Sequence, residues 1–188
     1  MGDWRPDAML RVVAGSRGSR LIETPPGRST RPTSDRVREA LFSMLGDLTH
    51  SRVLALFAGS GALGIEALSR GAAGAVFVEN SAKAASCVRR NLESLELAAE
   101  GEVVHADWLK AVRGFAGGGQ RFDIVFVDPP YADAASISSL LGDELSLCLD
   151  ERATVVFESG VDSPLVAGLR LEREKRYGDT VVRLYGTN

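Results

Sequence analysis

The feature that most constrains the fold is a regular alternation of strand-like and helical segments, which begins at residue 53. The strand-like runs are continuously apolar, as expected for strands that helices cover on both faces of a sheet. Such an alternation favours an α/β fold with a doubly wound, mostly parallel sheet. The predicted strands span 53–57, 75–79, 102–106, 123–128 and 153–158, and the predicted helices span 63–70, 81–97, 107–114 and 135–149.

The two ends of the chain complete the predicted architecture. Near the N-terminus, "LRVVAGSRGSRLIET" has two β-prone runs, 10–14 and 20–24, joined by a Gly/Ser/Arg connection, which predicts a small β-hairpin. Thr33 or Ser34 is predicted to cap the helix that follows. At the C-terminus, "LRLEREKRYGDTVVRLYG" predicts an antiparallel hairpin that turns at Gly178–Asp179 and closes a seven-stranded, Rossmann-like sheet. The predicted division is 1–32 for the extension with its basic hairpin and 33–188 for the main domain.

Composition excludes several classes of protein. The chain has no run of about 18 apolar residues, so no membrane span is expected. Its first residues lack the apolar core of a signal peptide. The two cysteines, Cys87 and Cys148, lie among apolar positions of predicted helices. We therefore expect buried, reduced thiols in a cytoplasmic protein and neither a disulfide nor a metal site.

Charge is distributed unevenly along the chain. Residues 1–38 contain eight arginines and four acidic residues, whereas the rest of the chain is acidic and brings the total to −3. A basic segment on an acidic body suggests a local site for phosphates. A basic segment that is merely solvated fits the charges equally well.

Four polar features follow predicted strands. In doubly wound sheets, ligands bind at the carboxyl ends of the strands, near the point where the strand order reverses. Because the four features share that edge, we expect them to form one site. They are Gly59-Ser60-Gly61-Ala62-Leu63-Gly64, Glu79, Asp107 and Asp128-Pro129-Pro130-Tyr131.

The glycine loop and the acid after the next strand are typical of a nucleotide site. Glycines permit a tight turn and close backbone approach, and the helix that follows offers free N–H groups. Glu79 can accept hydrogen bonds from both ribose hydroxyls. These two features fit a nicotinamide dehydrogenase as well as other nucleotide enzymes. Asp107, taken alone, is also a suitable N-cap for the next helix.

The motif Asp128-Pro129-Pro130-Tyr131 separates these alternatives, because a dehydrogenase does not need it. The Asp128 carboxylate and the Pro129 carbonyl can accept both hydrogens of an exocyclic amine, which directs the nitrogen lone pair at an incoming methyl group. The prolines stiffen the backbone and pre-position these acceptors. Tyr131 offers a flat face on which a base can stack. The motif therefore indicates methylation of an exocyclic base amine, on a base that has left its helix or lies in a loop.

These motifs resemble a known family. "FAGSGALGIEALSRGA" together with "DPPY" is similar to the S-adenosylmethionine-dependent class I methyltransferases. "TRPTSDRVREALF" and "YGDT" are most similar to the RsmD-type enzymes, which methylate the N2 amine of a guanine in small-subunit (16S) ribosomal RNA. The resemblance implies S-adenosylmethionine as the cofactor and ribosomal RNA, within a partly assembled 30S subunit, as the partner. We expect a cytoplasmic monomer without a metal.

The resemblance also implies roles for individual residues. Target-pocket and catalytic roles fall to Asp128, Pro129, Pro130 and Tyr131. Cofactor contacts fall to Phe57, Ala58, Gly59, Ser60, Gly61, Gly64, Glu79, Asn80, Ala106, Asp107, Trp108 and Asp128. RNA phosphate contacts fall to Arg11, Arg17, Arg20, Arg28, Arg31 and Arg36, and Arg31–Arg38 is expected to border the entrance for cofactor and RNA.

One position departs from the family pattern. The family carries an acid two residues before the Phe of the glycine motif, whereas this chain has Ala55. The missing carboxylate predicts either weaker cofactor binding or a substitute group elsewhere. Three alternative functions stay open: an adenine-N6 nucleic-acid methyltransferase, a nicotinamide dehydrogenase, and a non-catalytic RNA-binding assembly factor.

Overall fold

The computed structural model describes residues 9–26, 35–130 and 132–187. The predicted capping residues Thr33 and Ser34 lie outside this range. In chain order the elements are β1 (Met9–Arg11), β2 (Leu21–Glu23), α1 (Asp35–Leu45), β3 (Arg52–Leu56), α2 (Ala62–Ser69), β4 (Gly74–Glu79), α3 (Ala82–Ser94), β5 (Gly101–His105), α4 (Trp108–Gly117), β6 (Phe122–Val127), α5 (Ala134–Ser146), β7 (Leu149–Gly160), β8 (Arg170–Tyr177) and β9 (Thr180–Gly186).

The main sheet has seven strands in the order β5-β4-β3-β6-β7-β9-β8. Strands β3 to β7 pair in parallel, and β9 pairs antiparallel with both β7 and β8. The chain moves from β3 to one side of the sheet through β4 and β5, and then crosses to β6 on the other side of β3. The predicted doubly wound α/β sheet, with its closing antiparallel hairpin, is therefore confirmed.

Two apolar cores cover the two faces of this sheet. Along β3, Val53 and Ala55 face the core that is shared with α1, α2 and α3. Leu54 and Leu56 face the core that is shared with α4 and α5. These strand residues are all nearly inaccessible to solvent, and burial of a single leucine stabilises the fold by about 1.5–3 kcal/mol.

The predicted N-terminal hairpin is present and is bound to α2. Strands β1 and β2 pair antiparallel, and the connection between them contacts Glu66 and Ser69. The buried Glu66 carboxylate accepts the N–H groups of Val13, at 2.7 Å, and Ala14, at 3.0 Å. Gly15 has φ +83°, and a Cβ atom there would lie 1.9 Å from the Ser69 carbonyl oxygen. The hairpin therefore docks through backbone geometry that requires glycine.

Several predicted element ends differ from the structure by three or four residues, including the C-terminal ends of α3 and α5. Helix α3 ends at Ser94 and not at 97, because Glu96 adopts a left-handed backbone with φ 58°. Helix α5 ends at Ser146, so Cys148 lies in the turn before β7 and not on a helix. Both cysteines are nevertheless buried and free, as predicted. Burial raises the pKa of each thiol to about 11. Among the described residues, no helix is long and apolar enough to cross a membrane.

Candidate functional site

The carboxyl ends of the central strands lie at one level, which places the predicted site residues side by side. Leu56 at the end of β3 pairs with Val78 of β4 and with Val127 of β6. Phe57 and Asp128, the residues that follow, therefore leave neighbouring strands at the same height. Because β4 and β6 lie on opposite sides of β3, this is the point where the strand order reverses. Ligands of doubly wound sheets bind at such a point.

The glycine loop after β3 has the backbone that its sequence predicts. Gly59 and Gly61 have φ values of 59° and 83°, which favour glycine. Gly61 is the N-cap of α2 and provides no side-chain cap, so the helix start is suited to a ligand that accepts backbone N–H bonds. At Gly64, a Cβ atom would lie 2.3 Å from Cε1 of Phe77. The third glycine therefore allows close packing of α2 against β4.

Glu79 binds the glycine loop directly. Its side chain is 1% exposed, and its two carboxylate oxygens accept the N–H groups of Gly59 and Ser81, each at 2.9 Å. Ser81 in turn caps α3 by accepting the N–H of Ala84. One carboxylate thus orders both the loop and the start of the next helix. Position 55 is alanine, and among the described contacts the Glu79 carboxylate binds the backbone of this loop.

Phe57 follows β3 and Trp108 begins α4, directly after Asp107. The rings of Phe57 and Trp108 have centroids 6.1 Å apart with an interplanar angle of 45°. Asp107 caps α4 by accepting the N–H groups of Leu109 and Lys110. The capping alternative for Asp107 is therefore confirmed, while its predicted cofactor contact stays a prediction.

Backbone contacts position three more of the predicted residues. The Ala58 N–H donates to the Val78 carbonyl at 3.1 Å, and the Ala106 N–H donates to the Glu79 carbonyl at 3.2 Å. The carbonyl of Asn80 lies 3.1 Å from His105 Nε2. The first two bonds continue the strand pairing beyond the end of β3, to Ala58, and beyond the end of β5, to Ala106.

Asp128 and the prolines form the turn after β6. Asp128 is half-buried, Pro129 is buried and Pro130 is exposed. The Asp133 N–H donates to the Pro130 carbonyl at 2.9 Å, which closes the turn before α5. Tyr131 lies outside the described residues, so its stacking role stays a prediction.

The predicted RNA-binding arginines fall into three groups. Arg17 donates to the carbonyls of Leu95 and Glu96, and Arg20 donates to that of Ser94, all at the C-terminal end of α3. The side chains of Arg11 and Arg36 are exposed. Arg28 and Arg31 lie outside the described residues.

Arg38 ends the Arg31–Arg38 segment that is predicted to border the entrance, but its burial was not predicted. Its side chain is 1% exposed, and its Nη2 donates to the Arg11 carbonyl at 2.5 Å and to Asp35 at 2.6 Å. Arg38 therefore ties α1 to the hairpin. A signal was present, because Arg38 lies one helical turn before the buried Phe42 and shares its face.

Comparisons with known proteins agree with this geometry. The family model described as Conserved hypothetical protein 95 matches residues 10–186. Ribosomal RNA small subunit methyltransferase D of Escherichia coli (strain K12) is 37% identical over 185 residues, which cover 94% of this chain and 89% of that protein.

Two solved structures share the fold. A hypothetical protein from Thermus thermophilus has a TM-score of 0.79 and 30% identity, and the match covers 93% of this chain and 98% of that one. An RNA methyltransferase from Salinibacter ruber, solved in complex with S-adenosyl-L-homocysteine, has a TM-score of 0.62 at 18% identity and covers 82% of this chain and 92% of its own. Since the family model covers nearly the whole chain and the Escherichia coli relative matches it almost end to end, this chain belongs to the RsmD-type family of ribosomal RNA methyltransferases.

Proposed function

We propose that this chain transfers a methyl group from S-adenosylmethionine to the exocyclic N2 amine of a specific guanine in small-subunit (16S) ribosomal RNA. The observation that carries the proposal is the pairing of Leu56 with Val127, which sets the glycine loop and Asp128 on adjacent strands at one height. A donor loop and an amine-binding motif are thereby neighbours. Membership of the RsmD-type family supports the choice of substrate.

The residues around the glycine loop fit S-adenosylmethionine. The left-handed Gly59 and Gly61 leave room for close approach, and the helix start after them has no side-chain cap. The Glu79 oxygens accept the N–H groups of Gly59 and Ser81, and a carboxylate, with its several acceptor sites, is also suited to ribose hydroxyls. The rings of Phe57 and Trp108 offer an apolar surface for adenine. When bound, the cofactor supplies an electrophilic methyl group on a sulfonium.

Asp128 and the Pro129 carbonyl hold the acceptor amine. An exocyclic amine of guanine is conjugated with the ring, so its lone pair is poorly available. Two acceptors that take both amine hydrogens turn the nitrogen toward tetrahedral geometry and expose that lone pair. In this proposal Asp128 also takes the proton that the amine loses as the new C–N bond forms. Such positioning supplies up to about 7–11 kcal/mol of barrier reduction when the reacting atoms are aligned.

In this proposal RNA binds to the N-terminal hairpin and to the segment that follows it. Arg11 and Arg36 present exposed guanidinium groups. The described bonds use one donor of Arg20, and a guanidinium carries five, which leaves capacity for phosphate. Binding through such contacts weakens as salt concentration rises. The substrate is ribosomal RNA in a partly assembled 30S subunit in the cytoplasm.

The first experiment identifies the modified nucleotide. The protein is incubated with labelled S-adenosylmethionine and either naked ribosomal RNA or small subunits from cells that lack the modification, and the label is then mapped. We expect label on the N2 of one guanine. Label on adenine would establish the adenine-N6 alternative, and RNA binding without label at saturating cofactor would establish the assembly-factor alternative. Tight NAD binding without S-adenosylmethionine binding would establish a dehydrogenase.

A second experiment tests the role of Asp128. In Asp128→Ala we expect methyl transfer to fall by about 10²- to 10⁴-fold, the range for loss of a positioned acid or base, while cofactor affinity stays near that of the wild type. Asp133→Ala is the matched control, because Asp133 is exposed in the same loop and its side chain makes no capping bond to α5. A large loss of cofactor binding in Asp128→Ala would show that its assigned role is wrong.

A further inference from the structure

We infer that Asn91 is a positioning residue that couples RNA binding at the N-terminal hairpin to cofactor binding at the glycine loop. The inference rests on the proposed function, because it takes the hairpin as the RNA side and the loop as the cofactor side. Asn91 lies on α3, between these two parts of the molecule, and its side chain is 1% exposed.

One side-chain amide joins the two parts. Oδ1 of Asn91 accepts the Glu23 N–H at 2.8 Å, and Nδ2 donates to the Glu23 carbonyl at 2.9 Å. The same Nδ2 donates to the Ser60 carbonyl, also at 2.9 Å. Glu23 is the last residue of β2 and Ser60 lies in the glycine loop. The orientation of the amide is fixed by its partners, because only the oxygen can accept from an N–H and only the nitrogen can donate to two carbonyls.

The bond to Ser60 holds the glycine loop at the peptide that leads into α2. The peptide that joins Ser60 and Gly61 is held on both sides, since its carbonyl accepts from Asn91 and its N–H donates to the Ala58 carbonyl at 2.8 Å. Gly61 is the N-cap of α2. A shift of the Asn91 amide therefore rotates the peptide that sets the helix start facing the cofactor.

The bonds to Glu23 hold the end of β2, from which the chain continues into the proposed RNA-binding segment. Glu23 ends β2, and the chain after it leads to Arg28 and Arg31. Beyond the two bonds to Asn91, the Glu23 carbonyl accepts from the Cys87 thiol at 3.2 Å, and its carboxylate pairs with Arg90 at 3.0 Å. Glu23 is thus fixed to α3 at its backbone and its side chain. A displacement of Glu23 on RNA binding passes to Asn91, whose planar amide cannot follow it without also moving Ser60.

Coupling between two binding sites is reciprocal. The contacts of Asn91 therefore predict how each ligand changes the dissociation constant of the other. Bound RNA should lower the dissociation constant of the cofactor, and the cofactor should lower that of RNA by the same factor. Couplings of this kind are about 5- to 150-fold. Without Asn91 both factors should approach one.

The test measures the dissociation constant of labelled S-adenosylhomocysteine, which cannot donate a methyl group, with and without saturating small subunits that lack the modification. In the wild type we expect at least about 5-fold tighter binding with subunits. In Asn91→Asp, which keeps the acceptor and loses both donations, we expect a ratio near one. In steady state the same variant should raise KM for S-adenosylmethionine and retain kcat at saturation.

Cys87→Ala is the matched control. It removes the thiol contacts to the Glu23 carbonyl and, at 3.7 Å, to Asn91 Nδ2, and it leaves the bond between Asn91 and Ser60 intact, so it should keep the wild-type ratio. Asn91→Ser is a second variant for the case in which the buried carboxylate of Asn91→Asp prevents folding. The reciprocal measurement, RNA affinity with and without S-adenosylhomocysteine, needs no variant.

The outcomes separate the inference from the proposed function. If Asn91→Asp or Asn91→Ser keeps the wild-type ratio, even with lower stability, Asn91 is only structural and the inference is wrong. If the wild type methylates RNA but shows no coupling in either direction, the inference is wrong and the proposed function stands. If the wild type neither binds RNA nor transfers a methyl group to it, the proposed function fails and the inference fails with it.

Discussion

Gly64→Ala is expected to destabilise the protein, although alanine normally favours a helix. The new Cβ atom would lie 2.3 Å from Cε1 of Phe77, 2.7 Å from Cζ and 3.1 Å from Cδ1. Ordinary contacts are longer than about 3.4 Å, so α2 must move away from β4 or the Phe77 ring must rotate. The ring is completely buried and has little room to do so.

The size of the effect follows from two opposing contributions. Overpacking of a core by one methyl group costs about 1–3 kcal/mol, whereas alanine in place of glycine stabilises a helix by about 0.5–1 kcal/mol. Because the 2.3 Å contact is far shorter than an ordinary one, we place the steric cost at about 2–3 kcal/mol, and subtraction of a helix gain of about 1 kcal/mol leaves a fall of about 1–2 kcal/mol in the free energy of unfolding. For a protein of this size, that lowers Tm by about 2–8 °C. Cofactor affinity should fall too, because the displaced α2 carries the helix start of the site.

Urea denaturation of four variants, namely Gly64→Ala, Gly114→Ala, Phe77→Leu and the double variant Gly64→Ala/Phe77→Leu, tests this reasoning. Gly114→Ala is the matched control, because Gly114 lies inside α4 with nothing within 4 Å of an added Cβ, and it should stabilise the protein by about 0.5–1 kcal/mol. In a Phe77→Leu background, which lacks the ring edge, Gly64→Ala should cost much less than it does alone. A Gly64→Ala variant as stable as the wild type, or an equal cost in both backgrounds, would refute the steric argument.

Two further predictions concern pH and a buried hydroxyl. Burial raises the pKa of Cys87 and Cys148 from 9.0 to about 11, so the unfolded state loses these protons first and stability falls as pH rises from about 9 to 11. At pH 10 each thiol lowers the free energy of unfolding by about 1 kcal/mol. The urea midpoint of a Cys87→Ala/Cys148→Ala variant should therefore fall less between pH 8 and pH 10 than that of the wild type. An equal fall in both proteins would contradict the raised pKa of the two thiols. In Tyr185→Phe the buried Val166 N–H loses the hydroxyl that accepts it at 3.2 Å, which should lower the free energy of unfolding by about 1–3 kcal/mol. An unchanged thermal midpoint would show that water replaces the hydroxyl.

The features that sequence reasoning could predict are those with local signals. Continuous apolar runs identified β3 to β6, and the Gly-Asp pair located the turn between β8 and β9. The topological rule for doubly wound sheets then brought the glycine loop, Glu79 and Asp128 to one edge without any knowledge of distances. The register of β3 with β4 and β6 agrees with that placement.

The features that could not be predicted depend on partners far away along the chain. Glu66 binds the backbone at residues 13 and 14, and Asn91 binds Glu23, 68 residues earlier. Three polar residues lie on buried helix faces, namely Arg38, Glu66 and Asn91. Hydrophobic periodicity alone gives no reason for a polar residue at such a position. A polar residue at a position that helical spacing places inside is therefore a signal of a distant backbone partner.

The left-handed backbone of Phe57 has a consequence for any attempt to engineer this protein. Phe57 has φ 57°, a conformation in which a bulky side chain costs about 1–3 kcal/mol. Glycine at this position would relieve that backbone cost. Glycine, however, would remove the ring that faces Trp108 beside the glycine loop. Residue 57 is thus a position at which relief of backbone strain and the proposed cofactor contact favour different amino acids, and a screen must measure both stability and cofactor binding.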